Sequence, residues 1–116
     1  MARVVHRRGD DRRVLATDAA VADSLLGKAR GLMFRRSFPG DALVFPFGDA
    51  GIRTLHMVCV PFDIDAVWIL DGRVERVARL SAWTGLGRGA ADTVIELPAG
   101  VADDVHPGDE VRVEEA

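Results

Sequence analysis

Between Leu55 and Asp65 the chain places its only cysteine, one of its three histidines, a methionine and two aspartates, flanked by apolar residues. Imidazole and thiolate together suit zinc or copper, which makes His56, Cys59, Asp63 and Asp65 candidate metal ligands. Strand geometry weakens that reading. Side chains alternate along a strand, so His56 and Cys59 would point to opposite faces. Asp63 and Asp65 would share one face, and paired carboxylates do acid–base work when one of them stays protonated. Cys59 lies among apolar residues without an adjacent base, which favours an inert, buried thiol. Serine is confined to Ser24, Ser37 and Ser81, and there is no Gly-x-Ser-x-Gly or His-Glu-x-x-His motif. No complete catalytic set is visible, and no metal or cofactor is called for.

Two further groups carry chemistry. Gly85-Leu86-Gly87-Arg88-Gly89 resembles a phosphate cradle only in its glycines, because a dinucleotide fingerprint needs a strand before it and a long helix after it. Residues 81–91 are expected to form a loop that exposes Trp83 and Arg88 to a ligand or partner. Arg30, Arg35 and Arg36 form a candidate anion-binding group. Residues 1–36 carry nine bases and four acids, and residues 37–116 carry six bases and fourteen acids. The net charge of −3 and the absence of tyrosine argue against a nucleic-acid partner.

The elements that must position these groups read as strands around one early helix. Short β-prone runs at 3–8 and 12–17 flank Gly9-Asp10-Asp11. Thr17 or Asp18 is placed to cap a helix whose apolar stripe is Val21, Leu25, Ala29 and Leu32, ending near Gly31. Strands are expected at 42–47, 54–60, 64–70, 73–80, 93–97 and 110–114, with Asp71-Gly72 as a hairpin turn. That order predicts an α+β fold, a largely antiparallel sheet or barrel-like sandwich with one N-terminal helix, as a single domain over residues 1–116. No apolar run reaches the length of a membrane helix, and the N-terminus lacks a signal-peptide apolar region. A cytoplasmic protein without a membrane partner is the expectation; one cysteine permits no internal disulfide.

Several segments in series resemble the family called domain of unknown function 192. They are Arg30-Gly31-Leu32-Met33-Phe34-Arg35, Leu43-Val44-Phe45, His56-Met57 leading to Ile64-Asp65, Asp71-Gly72-Arg73-Val74, Val94-Ile95-Glu96-Leu97-Pro98-Ala99-Gly100, and Gly108-Asp109. The resemblance spans about residues 25–113. It implies a compact β-rich domain with an N-terminal helix and no established activity. The family's central segment commonly carries polar Lys, Asn and Thr where this chain has Val58, Cys59 and Val60.

These observations favour a non-enzymatic ligand-binding or accessory module, its site near His56, Asp63, Asp65, Trp83 and Arg88 and its partner a small molecule or protein. A small enzyme with a His/Asp acid–base site and a metal-binding protein are the alternatives.

Overall fold

The computed structural model describes residues 2–22, 32–33, 35–38 and 40–115. Among the described residues there are seven strands: β1 (Ala2–Arg8), β2 (Asp11–Val21), β3 (Ala42–His56), β4 (Ile64–Leu70), β5 (Arg73–Leu80), β6 (Leu86–Pro98) and β7 (Glu110–Glu115). They close into a barrel in the order β1-β2-β3-β6-β4-β5-β7, with β7 returning to β1. All pairings are antiparallel except the short parallel contact of Ala19–Val21 with Ala42–Val44.

β4 explains the layering. It lies between β5 and β6, and it is buried on both faces. Val67 and Ile69 join Val4, Val44, Ile95, Leu97 and Val111 inside the barrel. Ile64, Ala66 and Trp68 point outward into a second core with Leu43, Phe45, Met57, Val60 and Val94. A strand covered on both sides reads as a continuous apolar run, as 66–70 does. The hairpin to β5 turns on Asp71 and Gly72, both with positive φ (54° and 77°), which is the geometry two-residue hairpin turns require.

The α+β expectation and its N-terminal helix need correction, because the described residues contain strands and no helix. Residues 17–21, expected to open the helix, are the end of β2. Ala16 and Ala19 bury themselves in the barrel interior. They pair with Val4 and Ala2, which leaves Thr17 and Asp18 opposite the single residue Arg3 in a bulge. Both bulge amides donate to the Asp41 carboxylate at 2.8 Å. Asp41 thus satisfies backbone groups that a helix cap would otherwise have claimed. The remainder of the expected helix, residues 23–31, lies outside the described residues.

Candidate functional site

Beyond the barrel, β3 and β6 continue as a two-stranded ribbon, with residues 51–56 paired to 86–91. One ribbon face lies on Trp68. A Cβ at Gly87 would stand 2.9 Å from the Trp68 ring, and one at Gly89 3.0 Å from it. Trp68 Nε1 donates to the Arg53 carbonyl at 2.9 Å. Arg76 stacks on the Trp68 ring at 5.4 Å and donates to the Arg88 carbonyl at 2.7 Å. The glycine-rich segment is therefore neither a phosphate cradle nor a loop. It is a strand whose glycines admit an indole and whose alternate residues face water.

The other face carries Ile52, Thr54 and His56 opposite Ala90, Arg88 and Leu86. Ile52 is 63% exposed and Leu86 69%. His56 Nδ1 accepts a hydrogen bond from the Val58 amide at 3.2 Å, which leaves its proton on Nε2 facing solvent.

Two turns cap the ribbon's end. Residues 57–63 leave the extended conformation expected for 54–60. Cys59 takes a left-handed φ of 61°, and its thiol is half-buried rather than packed within a strand. Trp83 is also left-handed, at φ 68°, and its side chain is 60% exposed. The turns are stitched together by bonds from Trp83 N to Val60 O and from Met57 N to Gly85 O, both 2.9 Å. A third bond, of 2.7 Å, runs from Ala82 N to Asp63 Oδ1. Asp63 thus holds the turn that presents Trp83.

Asp65 belongs elsewhere. Its carboxylate faces away from Ile64, Ala66 and Trp68. It accepts Arg79 Nε at 2.7 Å and the amides of Gly100 and Ala102 at 2.9 and 3.0 Å. Arg79 also binds Asp103. With Arg79 Nη2 as a fourth donor at 3.4 Å, Asp65 anchors the 98–105 segment and does not pair with Asp63 or His56. Of the arginine group, Arg35 is half-buried and Arg36 exposed, while Arg30 lies outside the described residues. Among the described residues no group of three or more His, Cys, Asp or Glu side chains is placed to hold a metal ion.

Two polar centres were not anticipated from sequence. His6, only 3% exposed, gives a 2.8 Å contact from Nε2 to Asp109. Asp109 also accepts Arg8 and the His106 amide. Arg8 foremost, with His6 and that amide, holds the Asp109 carboxyl well below the usual carboxylate range against the opposing effect of burial. A cleft of about 300 Å³ beside it is lined by His6, Arg8, Asp11, Arg13 and Asp104. The second centre is Glu96, on the outer face of β6 between Leu43 and Ala66. It is 6% exposed, and burial pushes its carboxyl up to about 7. Among the described residues, its Oε1 and Arg3 Nε are the buried side-chain atoms without a hydrogen-bond partner.

A family profile matches residues 5–113. The chain belongs to DUF192, a family described as an uncharacterized ACR. The match begins at residue 5 rather than near residue 25, so it takes in most of β1 and all of β2. A Novosphingobium aromaticivorans protein of unknown function has a similar structure, with TM-score 0.76 and 25% identity over 95% of this chain and 83% of that one. A Sinorhizobium meliloti protein described as a candidate transcription regulator is similar at TM-score 0.79 and 22% identity, over 97% and 94% of the two chains. The second likeness shows the fold alone. No curated protein matches. No helix among the described residues is long and apolar enough to cross a membrane.

Proposed function

We propose that this DUF192 member is a binding or accessory module that docks a polypeptide on the solvent face of the β3–β6 ribbon. One observation carries the reading. Ile52, Val58, Trp83 and Leu86 are each more than half exposed, and all stand on the ribbon or its end turns around His56 and Arg88. Other large apolar residues on the surface, such as Val14, Val21 and Val113, are less exposed. Exposed apolar groups gathered at one place mark interaction surfaces more often than scattered ones do.

The shape favours a polypeptide over a small molecule. A sheet face is flat, and four clefts of about 300–430 Å³ among the described residues lie elsewhere. The six cross-paired positions of this face include Arg88 and His56 and no carboxylate. The fitting partner therefore brings aliphatic or aromatic side chains with a carboxylate among them. Trp83 and Arg88 are residue types that dominate binding energy at interfaces.

Panning displayed random peptides on the folded protein tests this. Enriched sequences should combine apolar residues with Asp or Glu, shift the NMR amide signals of residues 52–58 and 83–90, and lose binding with Leu86→Asp. Peptides that retain affinity for Leu86→Asp, or shift signals only elsewhere, would overturn the proposal. So would a concentration-dependent dimer formed through this face, since the surface would then serve a second copy.

A further inference from the structure

The barrel's two ends differ. At one end the 98–105 segment folds across the interior. Ala102 and Val105 are 2% and 3% exposed and pack with Val67 and Leu97. Asp65 and Arg79 pin this plug through Gly100, Ala102 and Asp103. At the opposite end, where β4 turns into β5 and β7 meets β1, interior-facing rows run out into a cleft of about 430 Å³. Val21, Val44, Pro46, Ile69, Val111 and Val113 supply its apolar wall. Val21 is 43% exposed there and Val113 36%. Val21 and Val113 are thus left facing an opening, while Val44, Ile69 and Val111 form the buried floor beneath them.

The charged groups at the rim decide what fits. Asp92, Arg112, Glu114 and Glu115 line the cleft. Arg112 is tied to Glu110. Glu114 is shared by Arg3 and Arg12. Asp92 gives one oxygen to the Asp71 amide at 3.0 Å, which leaves the other available. Among the described residues no ion pair engages Glu115. The uncommitted charge at the mouth is therefore negative, above an apolar floor. Barrel mouths of this form hold small ligands in other folds, and the volume lies within the range of small-molecule sites.

We propose that the open barrel end is a second binding site, separate from the ribbon face, for a small amine with an aliphatic or aryl body. The body would enter among Val44, Ile69, Val111 and Val113, and the ammonium would meet Asp92 and Glu115 at the rim. A carboxylate of the same body would face these acids and bind less well.

Phenethylamine, 3-phenylpropionate and 2-phenylethanol, each titrated into protein labelled on its valine and isoleucine methyl groups, provide the test. Phenethylamine should shift the methyls of Val44, Ile69, Val111 and Val113 saturably, with affinity about tenfold above that of the carboxylate. Asp92→Asn with Glu115→Gln should remove most of that preference while leaving the methyl spectrum of the free protein intact, because asparagine still accepts the Asp71 amide. Val113→Trp, at a partly exposed position, should fill the mouth and abolish the shifts. Equal affinity for amine and carboxylate, shifts confined to outer-core methyls, or no saturable shift from phenethylamine would each overturn the proposal. None of these outcomes bears on the ribbon face, so the two sites fail or stand separately.

Discussion

Glu96 is the residue at which this fold is least at ease. Its neighbours across the sheet are Leu43 and Ala66, and its Oε1 has no hydrogen-bond partner among the described residues. Burying a charge without a partner is costly, and the group responds by holding its proton. The folded carboxyl lies near 7 against 4.5 for an ordinary glutamate, so the folded state binds the additional proton between those values. Its stabilising contribution is therefore fully present below about pH 4.5 and is lost as pH rises through about 7. The difference corresponds to about 3 kcal/mol. Glu96→Gln cannot titrate. Urea unfolding of both proteins should give curves whose stability gap changes by about 3 kcal/mol between pH 4.5 and pH 8, in favour of the glutamine variant at the higher pH. Parallel profiles would mean that Glu96 is solvated or paired. This residue was quoted in the sequence only as part of a resemblance. Nothing in the residue type distinguishes this buried glutamate from exposed ones such as Glu75, because burial is decided by β3 and β4, which arrive from other parts of the chain.

At the scale of elements, the ribbon over Trp68 shows what sequence can and cannot display. β4 and β5 lie where the apolar run and the Asp71-Gly72 turn place them. The first half of β6 does not, because glycine normally argues against a strand. Its signal was the period of two: Gly87 and Gly89 alternate with Leu86 and Arg88, which face water, and these two glycines are the positions that meet the indole. The expected opening of the early helix, residues 17–21, was lost for the opposite reason. Ala16, Ala19 and Ala20 have helical propensity, yet the ladders to Ala2, Val4 and Ala42–Val44 outweigh it, and those partners are invisible locally. The candidate site was half legible. The residue types at 56, 83 and 88 were visible, but their common face required the pairing of Leu86 with His56. Gly87 supplies the direct check. A methyl there would meet Trp68 at 2.9 Å and Leu80 at 3.2 Å. Alanine normally gains about 0.5–1 kcal/mol over glycine inside a strand. Here overpacking should outweigh that, for a net loss of about 1–3 kcal/mol in chemical denaturation. The same substitution in a Trp68→Leu background should cost less, because the clash is gone. Equal costs in both backgrounds would show that the glycine is needed for something other than the indole.

For the whole molecule, the question is what closes the barrel. β5 and β7 share a single strand pair, Arg73 with Glu110. The join is reinforced by bonds from Val74 N to Asp109 O and from Gly108 N to Val74 O, each 2.8 Å. Asp109 lies at this seam, and its side chain reaches across to His6 and Arg8 on β1. The contact joins residues 103 positions apart, so it fixes the two chain ends of the barrel to each other. Local patterning cannot reveal such a pair. Its energetic signature is opposite in sign to that of Glu96. The folded Asp109 carboxyl lies below its ordinary value of 3.8, so its contribution is present above that pH and is lost as pH falls beneath it. Stability should therefore pass through a maximum near pH 4–5, falling on the acid side as Asp109 gains a proton and on the neutral side as Glu96 loses one. Asp109→Ala removes the acceptor for His6, Arg8 and the His106 amide. It should cost about 3 kcal/mol at pH 7, since breaking a buried charged network leaves its partners exposed to the same low dielectric. Its acid limb should also flatten, because the group that drives the loss is absent. Hydrogen exchange would locate the effect, with β1 and β7 amides losing protection before those of β4 and β6. An unchanged acid limb, or uniform loss of protection throughout the sheet, would mean that the barrel is closed by its backbone ladders and not by this side-chain clasp.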